Sequence, residues 1–385
     1  MIDAVLTAAE REIIATARAF AERVVAPNAA RWEWGRRYPL EAIREACAAG
    51  LNKIELAREH GGLGLSFTCK MRAFEEMARH DYAFAFALIN VHNSTARFAR
   101  DAPPTLRDRL LPAMLTGELI GCAGLTEPGA GSDFGAISTS ARRVEGGWVL
   151  NGGKAWITNA AVAGLSIAYA QTDPAQGWRG IACFAIEASR AGFKRLPAFE
   201  LHGGHAIGAG GFALEDYLAP DEALLHPPGR AFKSALAGIN GARTYVAAMC
   251  CGMLEESLRV AVRYGSERRT FGRKLLDHQG LRWKLVDAAT DLEAARLLTY
   301  RAARMIDEGA DAVLPAAHAK KFATDMAVQR ISDCIQAMGA NGLRADYPLA
   351  RHLAGAKIAA YTDGSIEMMN ERIGQALGAT FGVGG

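Results

Sequence analysis

The sequence predicts a mostly helical protein with a β-domain in the middle of the chain. Apolar residues recur at helical spacing in the first third of the 385 residues, and short β-rich runs separated by Gly, Pro and Asp follow. The helical period then returns and persists. We therefore expect an N-terminal helical domain (1–120), a small barrel-like β-domain (121–228) and a C-terminal four-helix bundle (229–385).

The N-terminal region carries clear helix signals. Thr7 followed by Glu10 has capping-box spacing and predicts the start of the first helix. Apolar residues then recur at spacings of four and three, which predicts a helix that stops at Pro27. These residues are Ile13, Ala17, Phe20 and Val24. We expect a second helix over residues 38–50 and a third over about 69–92.

Turn signals divide the middle region into short strands. Glu145-Gly146-Gly147 predicts a turn between two strands, and Asn151-Gly152 predicts a second turn. Further strands are expected over residues 165–171, 181–187 and 212–217.

Long helices are expected after Ala231. A helix over about 316–338 is predicted, and a heptad-like stripe consists of Leu281, Leu285, Ala288, Leu292 and Ala295. Such helices suit a bundle whose outer face associates with a second copy.

Composition excludes several classes of protein. Charged residues make up 22% of the chain and the formal net charge is +3, so no basic tract indicates nucleic acid or membrane. The seven cysteines form no C-x-x-C pair and lie near no histidine cluster, so we expect neither a disulfide framework nor a metal site. No apolar run approaches a membrane span, and no basic segment follows Met1, so we expect a cytoplasmic protein without a signal peptide.

Two segments of the middle region could contact a ligand. Glycines in residues 125–133 (LTEPGAGSD) allow backbone N–H groups to approach a ring carbonyl or a phosphate, although composition alone favours a plain turn. In residues 154–159 (KAWITN), the indole of Trp156 could stack on a flat heterocycle, with Thr158 on the same strand face. A core tryptophan is the alternative for that segment.

Three further segments lie in the C-terminal region. Residues 267–272 (ERRTFG) suit diphosphate pairing and adenine stacking, or form a solvated charge cluster. Residues 336–342 (QAMGANG) could meet a ligand through glycine backbone, or form a helix C-cap. Residues 361–367 (YTDGSIE) place an acid before glycine, which is most often a turn.

Together, these five segments and the glycine-rich connection at 60–65 resemble the acyl-CoA dehydrogenase family in order and spacing over essentially the whole chain. The resemblance implies FAD between the β-domain and the C-terminal bundle, with the ADP half held by a neighbouring subunit. It therefore also implies a homodimer or homotetramer. The residues that match the family's cofactor positions are Leu125, Thr126, Gly131, Ser132, Trp156, Thr158, Arg268, Phe271, Gln279, Gln336, Gly339, Ser365 and Glu367.

The resemblance also implies the chemistry. Asp363 occupies the position of the family's catalytic base, usually Glu, and would remove the α-proton of an acyl-CoA while the β-hydride passes to flavin N5. Electron-transfer flavoprotein or another acceptor would reoxidise the flavin. The residues that match substrate-binding positions are Ser132, Asn240, Arg243 and Gly364. Some members place the base at the position of Ala242, which cannot titrate.

Departures from the family pattern leave alternatives open. Asp is one methylene shorter than Glu, and Thr362 is small where an aromatic residue is common, so we expect a reshaped acyl pocket. The thioester could be carried by an acyl-carrier protein in place of CoA. A nitroalkane-oxidase-like enzyme also uses Asp as base, but Asn370 stands where that group has Arg. A flavin-free binding or assembly homologue is the third alternative.

Overall fold

A computed structural model describes residues 6–382 and shows the predicted order of helical, β and helical regions. The N-terminal helices are α1 (Ala8–Phe20), α2 (Ala26–Trp34), α3 (Leu40–Ala48), α4 (Phe67–Ala78), α5 (Tyr82–Asp101) and α6 (Pro104–Thr116). Thr7 and Glu10 form the predicted capping box at the start of α1.

Two N-terminal helix predictions were wrong. The helical backbone does not stop at Pro27, because a π-helical turn (Ala21–Val25) leads directly into α2, and Pro27 lies in the first turn of that helix. The predicted helix over 69–92 is two helices. Asp81 begins the second, since its carboxylate accepts a 2.9 Å hydrogen bond from the N–H of Ala83.

The middle region forms one eight-stranded sheet. Its strands are β1 (Gly121–Gly124), β2 (Ser140–Val144), β3 (Gly147–Ile157), β4 (Leu165–Gln171), β5 (Ile181–Glu187), β6 (Phe193–Arg195), β7 (Gly210–Pro220) and β8 (Leu224–His226). They are ordered β6-β7-β3-β2-β4-β5-β8, with β1 parallel to β4. The predicted β2–β3 hairpin is confirmed.

The second predicted turn of this region was wrong. Asn151-Gly152 lies inside β3, where the register with β7 shifts and Gly152 has φ 144°. A Cβ on Gly152 would lie 2.6 Å from the Cα of Thr139, so glycine here permits close backbone approach in a bulge.

The C-terminal helices are α7 (Ala231–Glu267), α8 (Gln279–Asp307), α9 (Val313–Met338), α10 (Leu349–Tyr361) and α11 (Ile366–Thr380). A short hairpin of β9 (Arg269–Thr270) and β10 (Arg273–Lys274) connects α7 to α8. Helices α7, α8 and α9 pack against one another, and the predicted stripe of α8 is buried at Leu285, Ala288, Leu292 and Ala295. The domain boundaries at residues 120 and 228 remain predictions.

All seven cysteines are buried and free, as expected for small apolar residues of the core. Among residues 6–382, no helix is both long and apolar enough to cross a membrane. The cytoplasmic location remains a prediction.

Candidate active site and flavin-binding face

Asp363 lies in a tight turn between α10 and α11. Its φ is 55° and that of Gly364 is 97°, so two consecutive residues adopt left-handed backbone. Aspartate tolerates this conformation better than most residues, and glycine adopts it without a Cβ penalty. The turn directs the Asp363 side chain into a large cavity, which fits its predicted role as base.

Two cations hold this turn. The ammonium group of Lys320, which is fully buried on α9, donates to the carbonyls of Thr362 and Gly364 on either side of Asp363. Arg243 Nε on α7 donates to the carbonyl of Asp363 itself, at 3.4 Å. Three adjacent carbonyls that the helices leave unpaired therefore find charged donors.

Tyr245 contacts the carboxyl group of Asp363 directly. Its hydroxyl donates to Asp363 Oδ2 at 3.2 Å, and its ring is buried on α7 beside Phe86, with 6.4 Å between ring centroids. Burial raises the pKa of Asp363, while Lys320, Tyr245 and Arg243 act in the opposite direction. The net direction is upward, which favours a carboxylate that takes a proton readily.

The cavity at Asp363 has a volume of about 1150 Å³ and runs between α5, α7 and the sheet. Asn240 and Ala242 line it beside Tyr245, and the amide oxygen of Asn240 accepts a 3.4 Å hydrogen bond from Arg243 Nη1. Asn240, Arg243 and Gly364 thus lie around Asp363, whereas Ser132 is exposed on the 125–133 loop. Their assignment to the substrate remains a prediction.

A buried ion pair fixes the 125–133 loop to β3. Lys154 Nζ lies 2.8 Å from Glu127 Oε1, and both side chains are buried. Glu127 also accepts from the N–H groups of Ser138 at 2.6 Å and Thr139 at 3.0 Å. Burial acts to raise the pKa of Glu127, but Lys154 and these donors outweigh it and lower the pKa to about 2. Both residues lie in segments singled out from the sequence, but their pairing was not predicted.

The end of β3 presents an exposed aromatic face. Trp156 has φ 59° in a bulge, is 60% exposed, and lies 4.4 Å from the ring of Phe199 between centroids. It is therefore no core tryptophan. Thr158 is half-buried beyond it, and the N–H of Ala155 donates to the carbonyl of Thr126 at 3.0 Å, which joins the strand to the loop. An exposed indole with a threonine hydroxyl two residues further along the chain fits the ring system of FAD.

The residues predicted for the ADP half lie mainly at one end of the bundle. Phe271 is 97% exposed at the tip of the β9–β10 hairpin, after Arg268 and before Gln279. At the end of α9, Asn341 donates to the Tyr264 hydroxyl at 2.9 Å, which brings the segment of Gln336 and Gly339 close to the end of α7. Ser365 and Glu367 lie separately, at the start of α11. These assignments to FAD remain predictions.

Tyr245 and Lys320 were not predicted from the sequence. Tyr245 lies 118 residues from Asp363, and Lys320 lies 42 residues from Thr362, so no local pattern joins them to the turn. Their positions within long apolar helices were the available signal, because a polar side chain there needs a partner.

Comparison with known families agrees with this architecture. Residues 7–118 match the acyl-CoA dehydrogenase N-terminal domain, 122–217 the middle domain and 229–378 the C-terminal domain. The chain is similar to an acyl-CoA dehydrogenase of Bacillus subtilis, with 33% identity over 365 residues that cover 94% of this chain and 95% of that protein.

Solved structures are similar to this chain over almost its whole length. Butyryl-CoA dehydrogenase from Megasphaera elsdenii superposes with a TM-score of 0.93 and 31% identity, covering 97% of this chain and 98% of that chain. A chain solved in work on the electron transferring flavoprotein of Acidaminococcus fermentans gives a TM-score of 0.93 and 33% identity, over 97% of this chain and 98% of that one.

A third solved structure is described as PigA with FAD and proline. It superposes with a TM-score of 0.92 and 26% identity, over 97% of this chain and 99% of that one. Acyl-CoA dehydrogenases are FAD-dependent oxidoreductases that act on a CH–CH group. With all three domains matched in order, this chain belongs to the acyl-CoA dehydrogenase family.

Proposed function

We propose that this chain dehydrogenates an acyl thioester and that Asp363 removes the α-proton. The observation that carries the proposal is the Asp363 carboxyl, which faces a cavity of about 1150 Å³ from a turn held by Lys320 and Arg243. Since Ala242 cannot titrate, Asp363 is the acid that the family pattern offers.

The pocket around the carboxyl supports a role as base. Its burial raises the pKa of Asp363, because the ionised form loses hydration. The hydroxyl of Tyr245 then orients one carboxylate oxygen and leaves the other free to face the substrate. Once Asp363 takes the α-proton, the charge beside Lys320 and Arg243 is neutralised, and those cations stay paired to backbone carbonyls.

FAD would lie against Trp156, with Thr126 and Thr158 as donors to its ring. Bound there, FAD supplies the acceptor for the hydride that leaves the β-carbon. The buried pair of Glu127 and Lys154 would keep the loop and β3 in register for that ring. The bundle end that carries Phe271 and Gln336 would meet the ADP half from a second subunit, in a homodimer or homotetramer.

The relatives support a CoA thioester as substrate, since one solved relative is described as a butyryl-CoA dehydrogenase. The similarity to a chain studied with an electron transferring flavoprotein supports such a protein as electron acceptor. Both assignments are part of the proposal.

Anaerobic bleaching of the flavin tests the function. Purified protein should be yellow and should bleach with acyl-CoA. Asp363→Asn should keep its flavin and lose bleaching by 100-fold or more, on the order expected when an essential base is removed. Asp311→Asn, at the mouth of the same cavity, is the matched control and should bleach normally.

Fast bleaching by the Asp363→Asn protein would place the base elsewhere. Bleaching by nitroethane but by no thioester would show a nitroalkane-oxidase-like enzyme. A colourless protein that cannot be reconstituted with FAD would show a flavin-free homologue.

A further inference from the structure

Helix α5 presents a polar face to the substrate cavity. Asn90, Asn93, Ser94 and Arg97 all line the cavity, and their spacing of three and four residues places them on one side of the helix. Asn90 and Ser94 are hydrogen-bonded within α5, and the amide oxygen of Asn93 accepts a 3.4 Å hydrogen bond from Lys70. Arg97 is therefore the residue of this face whose donors could bind a ligand.

Arg97 is the charged member of this face. Its Nη1 donates to the neutral hydroxyl of Tyr169 at 3.1 Å. Within residues 6–382 no carboxylate forms an ion pair with it, whereas the neighbouring Arg100 is paired with Asp101 at 2.7 Å. A half-buried guanidinium with only a neutral acceptor retains donors for an anion.

The opposite wall makes room for this guanidinium. A Cβ on Gly238 of α7 would lie 2.7 Å from Arg97 Nη2, so the absence of a side chain there allows the cation to lie against the helix. Gly238 is helical, where alanine is intrinsically preferred by about 1 kcal/mol. The glycine thus serves the position of Arg97 rather than the stability of α7.

The position of Arg97 relative to the base follows from α7. Gly238 contacts Arg97, and Tyr245, seven residues further along the same helix, contacts Asp363. At 1.5 Å per residue, the cation lies about 10 Å along the channel from the proposed base. Arg97 also acts to lower the pKa of Asp363, as a cation facing the same cavity does.

We propose that Arg97 binds an oxyanion of the thioester substrate, an inference that rests on the proposed function. Guanidinium binds carboxylate and phosphate in the same two-pronged way, so the source is either a carboxylate on the acyl group or the phosphate of the phosphopantetheine arm. In a C5 dicarboxylic acyl group, the terminal carboxylate oxygens lie four bonds from the α-carbon, a span of roughly 5 Å at ~1.2 Å per bond. Contacts of about 3 Å at each end fill the rest of the interval.

Four thioesters distinguish the two sources. They are the CoA thioesters of a C4 monocarboxylic acid and a C5 dicarboxylic acid, and the same two acyl groups on N-acetylcysteamine, which has no phosphate. Dissociation constants are measured by calorimetry on FAD-loaded Asp363→Asn protein, with and without Arg97→Gln. Wild-type bleaching is recorded in parallel, so that failure of the proposed function is seen separately from failure of binding at Arg97.

Arg97→Gln should weaken binding by about 10- to 100-fold only for those thioesters that carry the anion bound by Arg97, as expected for a lost charge-assisted hydrogen bond. Loss confined to the dicarboxylic thioesters identifies an acyl carboxylate, and loss confined to the CoA thioesters identifies the phosphate. Loss that is equal for all four ligands, or no loss, overturns the proposal.

Gly238→Ala provides an independent variant whose folding is favoured by helix propensity. Its methyl group should shift the guanidinium and weaken binding of the same ligands, by less than Arg97→Gln does, because the flexible arginine side chain can move aside. Arg142→Gln, an exposed arginine of β2 that does not line this cavity, is the control and should bind all four ligands normally. Unchanged binding by both Arg97→Gln and Gly238→Ala would refute the proposal.

Discussion

Tyr245→Phe tests the hydrogen bond that orients the proposed base. The substitution keeps the ring beside Phe86 and removes only the hydroxyl that lies 3.2 Å from Asp363 Oδ2. Because this donor stabilises the ionised carboxylate, its loss should raise the pKa of Asp363. A hydrogen bond to a charged group contributes about 1.5–3 kcal/mol, and one pKa unit corresponds to about 1.4 kcal/mol. The long contact favours the low end, so we expect a rise of about one unit.

The assay is the pH dependence of anaerobic bleaching by an acyl-CoA. The acid limb of the rate profile should move to higher pH by about one unit in Tyr245→Phe, with a rate loss of about tenfold below that limb. Tyr217→Phe is the matched control, since Tyr217 is a buried tyrosine of β7 whose hydroxyl donates to the carbonyl of Glu187 at 3.3 Å. An acid limb that stays in place in Tyr245→Phe, with flavin content unchanged, would refute the reasoning.

Two further substitutions test how the site is held. Lys154→Met should lower the free energy of unfolding by about 3–5 kcal/mol in urea titrations, because it leaves Glu127 buried without its cation, whereas Lys194→Met in an exposed pair should change it by less than about 1 kcal/mol. The pKa of Glu127 is about 2, below its ordinary value, so ionised Glu127 stabilises the folded protein near neutral pH. That contribution is lost as the pH falls from about 5 towards 2. A Glu127→Gln protein that loses as much stability over that range would contradict this. Lys320→Met should raise the pKa of Asp363 and slow bleaching by at least about tenfold, because it removes a nearby cation and the two hydrogen bonds that Lys320 donates to the turn. Lys321→Met on the same helix, where the lysine pairs with Asp325, should do neither, and equal behaviour of the two proteins would show that Lys320 has no part in the site.

Periodicity predicted the fold because the long helices bury continuous stripes. The stripe from Leu285 to Ala295 is buried in α8 as expected. The errors arose where a local signal has two physical meanings. Asn151-Gly152 has the composition of a turn, yet the same freedom of glycine serves a bulge inside β3. Pro27 signals both the end of one helix and the first turn of another.

The site was predictable only where a motif carries it. The segments around Trp156 and Asp363 were found because their residues are contiguous in the chain. The residues that contact these segments were not found, since they lie on three separate helices. Tyr245 and Arg97 line the cavity from α7 and α5, and Lys320 on α9 holds the turn at Asp363. Such polar residues need hydrogen-bond partners when they are buried, but the sequence does not show which distant group provides the partner.

The turn at Asp363 shows how opposing effects set the strength of the proposed base. Burial raises the pKa of the Asp363 carboxyl and so favours its protonated form, which cannot act as a base. Lys320 and Tyr245 oppose that rise, and Lys320 also pins the carbonyls on both sides of the residue. Lys320 therefore affects both the position of the acid and its pKa. Because the two roles share one group, substitutions at Lys320 and Tyr245 should not be additive, and a double variant would measure the coupling between them.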